Sequence, residues 1–438
     1  MSLLKYTLLH TLLIVTLYGT SDELMQMQKD LKQLQKELQT LKKDDLNISL
    51  PGQYRINFYS VDNDTAGQDQ QTAARMRIRQ SIDIKFTPKL SSRVRFQLNH
   101  TNDSITDATD TKGNGVLIRH AFIQYHPSHS HKLKVGLVPV IEYQDDLLYS
   151  KSWGYNPFAL EGFSSFNDLK LHYFAANLSE GSESNLTDDQ IHYQADLIFS
   201  GKTVDLTLST SLLDMANGTQ RGSHFNAAIK ASYKGKKKLT LHASALYSKT
   251  DESLLGVAAE GSAFRLECTK SYNKIDLGLL ATHASGNSQG SGFLVPMSFT
   301  GTNSYWGYTG VVTVMAQTDT GFAGDSIHVS NNGYGLSAVQ AKLEYKSSKK
   351  HQIYFAAGWF GNSQAAGRSS TVASELFVMN KYQFNPYLSL HLGASYAKLY
   401  DSLSGYSPDE HITGTTFNQA IGVTREKIAA FGRVQLEF

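Results

Sequence analysis

The sequence is short of several things at once, and each shortage closes off a class of protein. A single cysteine, Cys268, stands among 438 residues, which excludes an internal disulfide framework and any cysteine-based zinc site. Charged residues make up 18% of the chain, below the roughly one quarter usual in soluble domains. The net charge of +2 supplies no bulk field for nucleic acid. No run of about 18 apolar residues occurs, so no helix of the mature chain is expected to cross a membrane. Aromatic residues are plentiful by contrast, with 23 Tyr and 21 Phe, and Gly reaches 34 while Pro stops at 8. That composition fits a chain of many alternating strands.

Residues 1–20 are expected to form an export signal, with Lys5 ahead of an apolar stretch from Leu8 to Leu17 and small residues at Gly19-Thr20-Ser21. Leu24, Met27, Leu31, Leu34, Leu38 and Leu41 then recur at alternating steps of three and four among Lys, Gln, Glu and Asp. This is a coiled-coil seam, read here as a periplasmic helix over residues 22–46. A helix this short is marginal alone. It therefore calls for a partner, either a groove in its own chain or further copies of itself, with a homotrimer favoured. Leu50-Pro51-Gly52 ends it.

Beyond Gly52 the dominant period is two. Met76, Ile78, Ile82, Ile84 and Phe86 alternate with Arg75, Arg77, Arg79, Ser81, Asp83 and Lys85. Comparable runs include Ile191–Phe199, Phe225–Tyr233, Leu239–Tyr247 and Leu388–Tyr396, each about the length a tilted strand needs to cross a bilayer. Eight short polar turns are expected: 87–92, 127–132, 166–168, 200–203, 234–238, 271–274, 346–350 and 384–387. They interleave with nine longer stretches at 62–72, 101–115, 141–157, 179–189, 214–223, 250–256, 285–333, 362–372 and 401–423. Those connections join eighteen strands in an all-β, antiparallel transmembrane barrel over 52–438. Short turns on one side and long loops on the other are the asymmetry of outer-membrane barrels. The last strand alternates Ile428, Ala430, Val434 and Leu436 with polar residues and ends in Phe438, as bacterial outer-membrane proteins do.

If the apolar set faces lipid, the polar set faces the lumen. That places Arg75, Arg77, Arg79, Lys85, Arg93, Arg95, Arg55, Arg425, Lys427 and Arg433 on one inner wall, because closure brings the last strand beside the first. Such a wall lowers the barrier for anions and repels cations. Asp83, Glu437 and loop acids could offset it. The third long loop carries Asp145, Asp146, Lys151 and Trp153. It is expected to fold inward, with the two acids opposing the arginines at a constriction. The stretch 285–333 could either plug the lumen or cover the mouth.

Several motifs resemble a known family. Arg75-Met-Arg77-Ile-Arg79, Phe86-Thr-Pro88-Lys-Leu and Arg93-Val-Arg95-Phe are similar to early strands of alginate-export-like and related substrate-specific outer-membrane porins. Ala121–Tyr125, Leu133-Lys-Val-Gly136, Glu161-Gly-Phe163, Tyr382–Leu388 and Leu392–Tyr396 continue in the family's order. The resemblance implies an eighteen-stranded barrel with an electropositive lumen, passive flow of small anions or anionic saccharides, and no ATP site. The N-terminal seam resembles that of trimeric anion-selective porins.

Outer-membrane lipid is the expected surrounding, and no nucleic acid, metal or cofactor is expected. Two other readings stay open. An outer-membrane hydrolase would need Ser, His and an acid converging; His120, His172, His192 and His242 lie on separate strands with no paired motif. His126, His129 and His131 fall in a tight turn, and Asp103, Asp107 and Asp110 lack the EF-hand spacing. The other is a structural or adhesive barrel plugged by 285–333 and tethered to the cell wall.

Overall fold

The computed structural model describes residues 29, 46–62, 71–102, 115–145, 147–149, 155–179, 190–217, 220–235, 238–300, 307–309, 329–364, 370–400 and 425–438. The expected export signal and, but for Lys29, the heptad seam lie outside these residues, as does the Asp103–Asp110 stretch. The strands are β1 (Asn47–Ser49), β2 (Gly52–Asp62), β3 (Gln71–Lys85), β4 (Leu90–Asn102), β5 (Gly115–Ser128), β6 (His131–Leu137) and β7 (Phe158–Phe166). Then come β8 (Leu169–Ser179), β9 (Gln190–Ser200), β10 (Val204–Asn217), β11 (Gln220–Lys234), β12 (Leu239–Thr250) and β13 (Ala259–Tyr272). The chain ends with β14 (Ile275–Ala284), β15 (Leu336–Lys346), β16 (His351–Asn362), β17 (Thr371–Gln383), β18 (Leu388–Leu399) and β19 (Arg425–Glu437). Two single helical turns, α1 (Glu252–Leu255) and α2 (Met297–Thr300), interrupt the connections.

From β2 to β19 each strand pairs antiparallel with the next, and β19 returns to pair with β2. Eighteen strands thus close a barrel with no free edge. The three-residue β1 continues the line of β2 along β3, Asn47 facing Lys85. Pro51 separates the two: it has no N–H for the ladder, but its carbonyl still accepts from Ser81 N–H at 2.9 Å. At the seam Gly52 N–H donates to Phe438 O at 2.8 Å and Phe438 N–H returns the bond at 3.1 Å.

Alternation decides which side chains see lipid. Leu208, Ile229, Leu266, Leu279, Phe355, Leu376, Leu392 and Ile428 all point outward and are exposed. Aromatic rings bound this apolar band on both sides. Tyr125, Phe166, Phe199, Tyr233, Tyr272, Tyr345 and Tyr387 mark the short-turn end, and Phe58, Phe158, Tyr193, Tyr247, Phe264, Trp359 and Tyr396 the other. Two aromatic girdles flanking an apolar belt are what a bilayer selects on a barrel wall.

The eight short turns fall where the sequence places them. Asn167 (φ 54°) and Asn273 (φ 53°) sit in the left-handed region that Asn tolerates. One expected loop is different. Over 214–223 the strands β10 and β11 pair as far as Asn217 and Gln220, so this connection is a tall hairpin. Arg221 grips Asp214 there through two bonds of 2.8 and 2.6 Å.

Candidate functional site

The basic residues come together as one inner wall formed by β19, β2, β3, β4 and β5. Register aligns Arg55 with Arg77, Asn57 with Arg75, and Arg433 with Asn57. Arg55 is 4% exposed and Arg433 3%, and Arg75, Arg77 and Lys427 are buried too. Arg79, Arg93 and Arg95 are half-buried, while Lys85 is exposed at the short-turn rim. Arg425 opens β19, but its side chain lies outside the described residues.

Amide oxygens hold these guanidinium groups in place. Arg55 Nε donates to Gln435 Oε1 at 2.9 Å, Arg77 Nη2 to Gln53 Oε1 at 3.0 Å, and Arg433 Nε to Asn57 Oδ1 at 3.0 Å. Gln97 Oε1 accepts from Arg79 Nε at 2.6 Å and from Arg119 Nη1 at 2.7 Å. An amide orients a guanidinium without cancelling its charge. Arg93 differs, since two 2.6 Å bonds join it to Asp83. Arg75 also lies over the Tyr59 ring, 5.3 Å from its centroid.

Several wall residues escape the sequence pattern. Arg119 and His120 enter through a bulge: Arg95 faces His120, but Phe96 faces Ile118. The broken alternation in Val116-Leu117-Ile118, all exposed, is the available sign of it. Lys381 and His391 extend the wall, because Lys381 faces His391 and His391 faces Arg433.

Two connections fold into the lumen. The first leaves β6 at Gly136, whose φ of 125° suits only glycine and where a Cβ would meet Ala121 O at 2.1 Å. Val138, Val140, Leu147, Leu148, Tyr149 and Tyr155 are buried, packed among Ala159, Phe174 and Ala176. Beyond them the segment crosses to the far wall. Gln144 Nε2 donates to Ser209 Oγ on β10 at 2.9 Å, Lys230 on β11 binds the Asp145 carboxylate, and Arg265 Nη1 on β13 reaches Asp145 O at 3.1 Å. Asp145, expected to oppose the arginines, has its charge matched by Lys230 on the wall nine strands from β2. Asp146, Lys151 and Trp153 lie outside the described residues.

Beneath this segment a polar chain fills the wall. Lys134 Nζ donates to Glu161 at 2.5 Å, and His172 places its two ring nitrogens 3.1 Å from Glu161 and 2.6 Å from Asp196. The Tyr143 ring meets His172 edge-on at 5.3 Å. The Tyr155 hydroxyl and His192 Nδ1 are hydrogen-bonded. Burial raises the Tyr149 and Tyr155 phenols well above their ordinary range.

The second inward connection lies within 285–333. Phe293, Leu294 and Val295 are buried, with Leu294 N–H donating to Ser248 Oγ at 3.0 Å and its carbonyl accepting from Asn226 Nδ2 at 3.2 Å. Tyr308 N–H donates to Gln340 Oε1 at 2.7 Å, its hydroxyl to Glu267, and its ring lies 4.4 Å from Lys342 Nζ. Gly335 (φ 72°) returns the chain to β15, where a Cβ would meet Ala284 O at 2.4 Å. These described parts of the stretch thus lie against the inner wall. The two inward segments converge on one pair, Arg265 and Glu267, joined at 2.8 Å.

The four candidate histidines lie on β5, β8, β9 and β12. His242 Nδ1 pairs with Ser232 Oγ at 2.8 Å and register sets Glu267 opposite His242, but that carboxylate is taken by Arg265 and Tyr308. Among the described residues no group of His, Cys, Asp and Glu is spaced to hold a metal ion.

No sequence-family model and no curated protein matches the chain. Solved structures do. OccAB1 of Acinetobacter baumannii aligns at a TM-score of 0.57 with 13% identity, over 89% of this chain and 97% of its own. OpdK of Pseudomonas aeruginosa, solved with vanillate, aligns at 0.56 with 11% identity over 89% and 99%. OprD, an outer-membrane protein of the same organism, aligns at 0.55 with 11% identity over 89% and 94%. With its lipid-facing belt and closed sheet, the chain has the fold of a bacterial outer-membrane porin.

Proposed function

We propose that the protein is a passive diffusion channel for small hydrophilic solutes and that it favours anions. The observation that carries this reading is the wall of Arg55, Arg75, Arg77, Arg79, Arg95 and Arg433, of which Arg55, Arg77, Arg79 and Arg433 are oriented by Gln and Asn side chains. In a narrow water column beside a low-dielectric wall, Coulomb attraction to those charges is screened less than in bulk. Small carboxylates and acidic saccharides are the solute class this chemistry fits. The segment that carries Asp145 across the lumen narrows the path. The heptad seam over 22–46 joins three copies on the periplasmic side.

Single-channel recording in a planar bilayer across a KCl gradient tests this. Steady current with an anion-selective reversal potential is expected, moving toward zero in the triple variant Arg55→Gln, Arg77→Gln, Arg433→Gln. Cation selectivity would discard the basic-wall mechanism and keep the channel. The packing of Phe293 and Tyr308 inside the barrel supports a second reading, a plugged structural barrel. Silence of the folded chain, with current appearing only after the 285–333 stretch is shortened, would favour it.

A further inference from the structure

Among the described residues, the inward side chains at the two ends of the barrel differ in charge. At the long-loop rim the inward residues of the strands include Thr250, Ala259, Ala284, Leu336, Ala373 and Leu399, all buried and uncharged. At the short-turn rim exposed lysines recur around the circumference: Lys85 and Lys89 at the β3–β4 turn, Lys170 on β8, Lys202 at β9–β10, and Lys349 and Lys350 at β15–β16. Most acids of this rim already have cations. Asp205 binds Lys234 at 2.5 Å, and Asp276 and Glu344 share Lys346 at 2.5 and 3.1 Å. Asp83 is taken by Arg93. Among the described residues the six lysines named above have no carboxylate partner.

A ring of exposed ammonium groups holds a single monovalent ion weakly, since each charge is hydrated and screened. Its summed potential acts differently on an ion that carries several charges, because attraction scales with ligand charge and the mouth focuses the field. Lysine stems are long and flexible, so ammonium groups from neighbouring turns can close on one ligand.

We infer that the short-turn mouth is a capture site for multivalent anions, phosphorylated or polycarboxylated, separate from the arginine wall inside. The site collects such solutes from one side of the membrane. It alters access under a driving gradient, not the equilibrium across it. The inference rests on the channel reading, and the experiment separates the two.

The probe is inorganic tripolyphosphate, added to one chamber at a time during single-channel recording. Orientation is set by Ser348→Cys, an exposed turn position, biotinylated in a Cys268→Ala background so that streptavidin reports the short-turn side. In 0.1 M KCl the half-blocking concentration is expected to be about tenfold lower from the short-turn side, and the two sides to converge in 1 M KCl, where the screening length falls to about 3 Å. Replacing Lys89, Lys170, Lys202, Lys349 and Lys350 by Gln should abolish the sidedness while the KCl reversal potential stays anion-selective. Equal block from both sides in the unmodified chain overturns the capture site, as does sidedness that survives those substitutions or 1 M KCl. The salt comparison needs no variant and decides the matter if the substituted chain fails to fold. A folded but silent protein overturns the channel reading itself.

Discussion

The inner surface has two halves that treat charge in opposite ways. On β19 and β2–β5 the described partners of the arginines are mainly amides, and Asp83 is the exception. On β6–β13, beneath the inward segments, Lys134 meets Glu161, Lys230 meets Asp145, Arg265 meets Glu267, and His172 lies between Glu161 and Asp196. Burial does not separate the two, since in the aqueous half Arg55 and Arg433 are 4% and 3% exposed, no more than Lys134 and Arg265 in the covered half. A carboxylate cancels the charge it holds, whereas an amide aims a guanidinium and leaves its charge in place. One half is therefore architecture, and the other is left to act on solutes.

Four substitutions sharpen or break that contrast. The largest effect belongs to Glu161→Ala, which strands Lys134 and His172 in a site where Glu161 is 0% exposed. A loss of about 3–5 kcal/mol is expected, read as a lower urea midpoint in lipid vesicles. Leu148→Ala empties part of the apolar underside of the first inward segment and should cost about 2–4 kcal/mol, with faster proteolysis within 138–157. Gln97→Glu keeps acceptors for Arg79 and Arg119 but makes the aqueous half resemble the covered one. At roughly 0.5–1 kcal/mol per partly screened charge, the anion-to-cation permeability ratio should fall about two- to fivefold. An unchanged reversal potential would refute the role given to the amides. Lys346→Gln, at an exposed ion pair, should move the unfolding midpoint by no more than about 0.5 kcal/mol.

How much of this could be read from the chain alone depends on where the physics is periodic. Strand number and short turns are legible because a lipid outside and a wet inside impose strict alternation. The hairpin at Asp214–Arg221 is missed because it stands above the apolar band, where outward residues turn polar and the pattern fades. Arg119 is missed because a bulge shifts the phase by one residue. The inward segments carry no period at all. Their only trace is apolar runs such as Leu147-Leu148-Tyr149 and Phe293-Leu294-Val295 inside polar loops, which would be poorly placed in water. Asp145 stands out in the sequence as an acid of the third long loop, but not as a partner of Lys230, 85 positions away.

The seam between β2 and β19 governs the order in which this molecule can be made. Asn57 and Arg433, bonded across it, are separated by 376 residues. Bringing such ends together from a free chain costs on the order of 5 kcal/mol of loop entropy, whereas every other junction of the barrel joins strands consecutive in the chain. Hairpins can therefore accumulate one by one, but the cylinder closes only once its final strand is present. Until then β2 and β19 each expose a row of unpaired backbone groups, a template for pairing with the wrong chain. The open sheet is the aggregation-prone species in this protein's assembly, and the last strand removes it in a single step.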